Sequence, residues 1–169
     1  GSVIVNSNPG LCTALVSWDL PSIVDNCPGS TFSSDHQPGD QFPVGTTQVN
    51  YLATDTNGNT SAATFDLTVV DNEMPVVSGL PSTVTLPNDP GSCGAMHSWA
   101  TPTVTDNCGN PVMTSSHNSG DQFPIGSTTV SIHIDDGHGN TLDFAFDVNI
   151  TDTELPVISG MPVSMTLSN

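Results

Sequence analysis

Apolar and polar residues alternate along several stretches of the chain. Val49, Tyr51 and Ala53 alternate with Asn50 and Leu52, and Phe65, Leu67 and Val69 with Asp66 and Thr68. Further on, Val130, Ile132 and Ile134 alternate with Ser131 and His133. Phe144, Phe146, Val148 and Ile150 alternate with Ala145, Asp147 and Asn149. A period of two with one apolar face predicts half-buried β-strands. Fourteen prolines and fifteen glycines punctuate these runs, and no stretch carries a helical period.

The pattern occurs twice. Cys12 and Cys93 are separated by 81 positions, and the same step relates Trp18 to Trp99 and Asp25-Asn26-Cys27 to Asp106-Asn107-Cys108. It also relates "GDQFPVG" at 39–45 to "GDQFPIG" at 120–126, and "EMPVVSGLP" to "ELPVISGMP", without a gap. Such a repeat marks tandem units. About eighty residues in six or seven short strands predict an all-β fold of tandem immunoglobulin-like β-sandwiches. The expected boundaries are 1–74 for the first repeat and 75–155 for the second. Residues 163–169 match 82–88, so 156–169 reads as the first strand of a third repeat or as a tail engaging a neighbouring subunit. The chain reads as a window cut from a longer array.

A core of this size calls for a staple. Each repeat holds two cysteines fifteen positions apart, Cys12 with Cys27 and Cys93 with Cys108. Even counts at equal spacing predict one disulfide per repeat, each worth roughly 3 kcal/mol in the chain-entropy model. No C-x-x-C or clustered His favours zinc. Disulfides imply an oxidising, extracellular or cell-surface location.

Charge changes the picture most. The chain has no Lys or Arg, 17 acids and a formal charge of −17. That argues against nucleic acid and anionic membrane surfaces, which bind through Lys and Arg. It removes salt bridges to fixed cations and leaves dissolved cations to screen the acids. No apolar run is long enough for membrane insertion as a helix. The missing basic residues also predict resistance to trypsin-like cleavage.

The segments "CTALVSWDLPSIVDNC", "GDQFPVGTTQVNYLATDTNGN" and "FDLTVVDNEMP" resemble the hyalin repeat (HYR) domain. The second copy carries "CGAMHSWATPTVTDNC", "GDQFPIGSTTVSIHIDDGHGN" and "FDVNITDTELP". The resemblance spans essentially the whole chain and implies an immunoglobulin-like, extracellular, adhesion-associated module. Many family members carry a further Cys after the Gly-Asn, where this chain has Ala63 and Phe144, so their disulfide pattern does not transfer whole.

The only two glutamates, Glu73 and Glu154, recur in Asp-x-Glu-x-Pro directly after an alternating strand. In a sandwich, the loop after the second strand and the last hairpin turn lie at the end that the preceding linker enters. Asp71 and Glu73 of the linker therefore meet Asp106, Asn107, Asp136 and Asn140. Converging oxygens of this kind suit Ca²⁺, which takes about six to eight of them. Glutamate is expected to reach across the junction as a ligand. Asp152 and Glu154 at the far end, and Asp25 and Asp55 at the near end, form complementary halves of the same site. They predict head-to-tail association, either through a longer chain or between copies of the same chain. The alternatives are ordinary turns: "DTNGN" suits a tight hairpin, Asp-Asn before Cys caps a turn, and the proline stiffens the linker.

Trp18 and Trp99 read as packing residues ahead of a carbohydrate platform, and His36 and His117 as solvated loop residues. Phe42-Pro43 and Phe123-Pro124 read as turns with a buried aromatic anchor. No nucleophile elbow or phosphate loop stands out, so no enzymatic activity is expected. The functional expectation is an extracellular structural or adhesive repeat, a calcium-stiffened rod or head-to-tail filament. The alternative is a secreted module that binds a surface glycan or protein.

Overall fold

The computed structural model describes residues 1–160 and is all-β. The third-repeat strand or tail expected at 156–169 lies mainly outside the described residues. The first repeat contains β1 (Ser2–Asn6), β2 (Thr13–Leu15), β3 (Thr31–Ser34), β4 (Gln41–Pro43), β5 (Gly45–Thr54) and β6 (Thr60–Val70). A short strand β7 (Val76–Ser78) follows. The second repeat contains β8 (Val84–Pro87), β9 (Gly94–Met96), β10 (Thr103–Thr105), β11 (Val112–Ser115), β12 (Gln122–Pro124), β13 (Gly126–Asp135) and β14 (Thr141–Thr151).

The chain forms two compact units that do not follow the repeat boundary. One gathers Gly1–Gly79, Pro102–Thr114 and Ile132–Phe144; the other gathers Leu80–Thr101, Ser115–Ser131 and the chain from Ala145 onward. In the first repeat, one sheet runs β1-β6-β5-β3 and a second pairs β2 with β4. The β5–β6 hairpin keeps a continuous antiparallel register from Gly45↔Val69 to Thr54↔Thr60. β1 lies parallel to β6, with Val3 opposite Leu67 and Val5 opposite Val69. The core is Ala14, Val16, Phe42, Val49, Tyr51, Leu67 and Val69, flanked by Val3, Val5, Trp18, Val44 and Phe65. These are the alternating apolar positions, turned inward from both sheets as the pleat requires.

The second repeat repeats the arrangement, with sheet order β11-β13-β14-β8, β12 paired to β9, and β8 parallel to β14. Ala95, Phe123, Val130, Ile132, Ile134, Phe146, Val148 and Ile150 are buried. Phe42 and Phe123 are the expected aromatic anchors, at 1% and 0% exposure. Trp18 packs rather than standing free: its ring lies 5.4 Å from Phe65 and 5.9 Å from Phe42, and its Nε1–H donates to Tyr51 Oη at 2.6 Å. Trp99 sits likewise against Phe146 and Phe123. His36 and His117 are half-buried against Phe42 and Phe123, 5.0 and 5.4 Å between ring centres, not simply solvated.

The cysteines pair otherwise than expected. The disulfide joins Cys12 to Cys108, with Cα atoms 4.7 Å apart, and Cys27 and Cys93 are free and exposed. The expected bonds Cys12–Cys27 and Cys93–Cys108 are therefore corrected. Equal spacing within each copy fixes the number of bonds per step but leaves their phase open. A bond from the first Cys of one copy to the second Cys of the next keeps the same spacing. The longer closed loop also removes more freedom from the unfolded chain, about 4.7 kcal/mol for 100 residues against about 3 kcal/mol for 15.

Two outcomes follow from this packing. Phe42→Ala is expected to cost about 3–5 kcal/mol in denaturant unfolding through the cavity it leaves. The double variant Cys12→Ser/Cys108→Ser is expected to lose about 4–5 kcal/mol in the same measurement, whereas Cys27→Ser leaves the unfolding midpoint unchanged.

Candidate metal centre

Three short segments of one compact unit build the site. The hairpin between β13 and β14 turns through Gly137 and Gly139, at φ of 80° and 108°, a backbone region open to glycine at little cost. The turn closes on its own aspartate. Asp136 Oδ1 accepts the N–H groups of His138 (2.7 Å) and Asn140 (3.0 Å), and Oδ2 accepts Asn140 Nδ2 at 2.6 Å. The loop after β10 folds the same way: Cys108 N–H donates to Asp106 Oδ1 at 2.8 Å, and Asp106 bridges to Gly109. The linker after β6 supplies Asp71. Its Oδ1 accepts Glu73 N–H at 3.2 Å, Asn107 Nδ2 at 3.4 Å and Ser7 Oγ at 3.5 Å.

Amide groups lock these segments together. Asn140 Nδ2 donates to the Asp71 carbonyl at 3.3 Å, and Asn107 Nδ2 to the Leu11 carbonyl at 3.1 Å. The Cys12–Cys108 bond clamps the same loop. The result brings one carboxylate oxygen each from Asp71, Asp106 and Asp136 within 4.8 Å of one another. Asp71 and Asp136 are 3% and 4% exposed. Asp71 Oδ2, Asp106 Oδ2 and Asn107 Oδ1 are buried with no hydrogen-bond partner among the described residues. A buried polar atom without a partner is costly, and three carboxylates this close repel. An oxygen-only donor set of this kind fits a hard divalent cation such as Ca²⁺.

Burial acts to raise the Asp136 pKa. The N–H of His138, the side chain and N–H of Asn140 and the nearby His138 charge outweigh it, and the pKa falls below the ordinary aspartate value. Asp55 in the matching first-repeat turn is lowered too, by the side chain and N–H of Asn59 before other donors. Both groups therefore stabilise the fold above the ordinary aspartate pKa, and that contribution is lost as the pH falls through the lowered value.

Of the residues expected to converge, Asp71, Asp106, Asn107, Asp136 and Asn140 do. Glu73 takes a different partner: its Oε1 accepts the Gly10 N–H at 2.6 Å. Glu154 accepts the Gly91 N–H at 2.7 Å in the same way. The glutamates thus tie each linker to a turn in the repeat before it. The matched Asn8-Pro9-Gly10 and Asp89-Pro90-Gly91 carry that signal in the sequence. The Gly10 N–H and the Leu11 carbonyl were missed, since backbone groups leave no residue-type signature, and so was the Ser7 hydroxyl, a single serine without a matching serine 81 positions on. Asp25 and Asp55 line one surface depression with Asn59. Asp152 and Glu154 line another with Asn88 and Cys93.

Comparison with known proteins agrees with the sequence. The HYR domain family model matches residues 2–69 and 70–150. Hyalin from Lytechinus variegatus is 37% identical over 156 residues, covering 89% of this chain and 29% of that protein. The sushi, von Willebrand factor type A, EGF and pentraxin domain-containing protein 1 of Mus musculus is 34% identical over 85% of this chain and 4% of its own length. The chain thus spans less than a third of either relative. Among solved structures, the extracellular cadherin domains 1–5 of protocadherin gamma B2 align over 90% of this chain and 38% of that one, with a TM-score of 0.37 and 14% identity. The chain is an extracellular or cell-surface module, and it belongs to the HYR domain family, of which it carries two tandem copies.

Proposed function

We propose that this chain is a non-enzymatic structural repeat whose successive sandwiches are joined and stiffened by a divalent cation, with calcium the best fit. The observation that supports this most directly is the set of buried, partnerless oxygens of Asp71, Asp106 and Asn107 beside Asp136. A cation there would neutralise the repulsion and satisfy those oxygens together. Asp71 anchors the linker, Asp106 the loop after β10 and Asp136 the hairpin turn. One ion bound by all three would couple the linker to the second repeat. With no Lys or Arg in the chain, a dissolved ion is the natural counter-charge.

The ends extend this reading. Asp25 and Asp55 keep the internal hydrogen bonds of Asp106 and Asp136. Asp152 accepts the Glu154 N–H at 3.0 Å, as Asp71 accepts that of Glu73. Copies of the chain would associate head to tail through these halves, giving an extracellular rod or filament. The glycan-binding alternative has less support, because Trp18 and Trp99 are packed against phenylalanines.

Substitution at Asp71 separates charge repulsion from ion binding. In chelator, Asp71→Asn is expected to melt at or above the wild-type temperature, because a repelling charge is gone. In calcium the order is expected to invert: saturation at a hundred times the Kd adds about 2.7 kcal/mol to the wild type and little to the variant. Calorimetric titration that detects no calcium uptake by the wild type, with identical melting in calcium and chelator, would refute the cation reading.

A further inference from the structure

The two cysteines outside the disulfide occupy, 81 positions away, the places of the two inside it: Cys27 matches Cys108, and Cys93 matches Cys12. Their surroundings match as well. Cys27 N–H donates to Asp25 Oδ1 at 2.7 Å, as Cys108 N–H does to Asp106 Oδ1 at 2.8 Å. Asn26 Nδ2 lies 3.6 Å from Cys27 Sγ, and Asn107 Nδ2 lies 3.5 Å from Cys108 Sγ. The Cys93 carbonyl accepts the Ile125 N–H, as the Cys12 carbonyl accepts that of Val44. Each free thiol therefore sits in a loop already shaped like its bonded counterpart.

An independent observation comes from the backbone. β7 pairs antiparallel with β10, Val77 opposite Val104. Their equivalents are Val157-Ile158-Ser159 and Ser22-Ile23-Val24, and neither segment has a strand partner among the described residues. Val24, Val157 and Ile158 are 94%, 88% and 80% exposed. Apolar side chains on an unpaired edge are a template for strand addition. The thiols, strand segments and acids at these two places are the counterparts of the groups that the internal junction joins.

We infer that a second copy of this chain docks its 22–27 segment on residues 157–159 and Cys93 of the first, and that Cys93 then forms a disulfide with Cys27 of that copy. The inference rests on the head-to-tail reading above and adds a covalent bond to it. The oxidant is a low-molecular-weight disulfide such as oxidised glutathione. The Cys93 thiolate attacks it, forming a mixed disulfide and releasing one glutathione thiolate. The Cys27 thiolate of the docked copy then displaces the second. The two protons lost by the cysteines end on two reduced glutathiones.

The test uses Cys27→Ser and Cys93→Ser, each retaining the Cys12–Cys108 bond, incubated alone and mixed in a glutathione redox buffer with calcium. Docking raises the effective concentration of the matched thiols. The mixture is therefore expected to form about tenfold more covalent dimer than either variant alone, and the wild type a ladder of longer species on non-reducing gels. Equal dimer in the single variants, showing like-with-like pairing, would overturn the inference. Sedimentation separates it from the reading beneath it. Association in calcium without a covalent dimer overturns the disulfide and leaves the head-to-tail contact standing, whereas a monomer throughout overturns both. Peptide mapping of oxidised wild type, half of it ¹⁵N-labelled, gives a variant-free readout. A Cys93–Cys27 peptide of mixed label supports the bond, and its absence from covalent multimers overturns it.

Discussion

The carboxylates that organise this structure are held by amides, because the chain offers them no Lys or Arg. Asp136 is gripped by two backbone N–H groups and the Asn140 side chain, Asp55 by the same set from Asn57 and Asn59, and Glu73 by a single glycine N–H. Such bonds cost no second charged side chain, and those of Asp136 and Asp55 fix the loop that makes them, since donor and acceptor lie two to four residues apart. The acids therefore act first as local fasteners of turns. Among the described residues, the carboxylates of Asp71, Asp106 and Asp136 come together with buried oxygens that the protein's own donors leave unmet.

The sandwich supplies the placement. Inward-facing residues of β5 and β6, and of β13 and β14, bury one face of each long hairpin. The hairpin tip is thereby set at one end of its sheet, and the parallel first strand is laid along the last. Each linker leaves directly from that last strand, so Asp71 emerges at a position set by core packing. The glutamate two residues later turns the linker back onto the Asn-Pro-Gly turn. The linker is thus tied at both ends before any ion is considered.

Much of this was legible in the sequence, for identifiable reasons. Strand alternation reports burial directly, and Val49, Tyr51, Leu67, Val130, Ile132 and Val148 all turn inward where the period of two placed them. The acidic cluster followed from topology alone, because strand direction decides which loops share an end. The cysteine pairing was not legible: spacing within a copy is blind to which copy supplies the partner. The role of Glu73 was missed for a related reason. Its partner is a backbone N–H, and every residue except proline has one. His97 and Trp99 lie with ring centres 5.9 Å apart and half-buried, at the margin of the packed interior.

The Cys12–Cys108 bond also sets how the molecule carries tension. A pull on the two ends of the chain passes through the sulfur bridge and bypasses the polypeptide between the bridged positions, a separation of 96 residues. Those residues, roughly 320 Å of extended chain at about 3.3 Å each, stay out of the load path while the bridge is intact. Unfolding under force can then lengthen the molecule only outside the bridge, and reduction releases the sheltered length. A tether built this way has its extensibility set by the redox state of its surroundings.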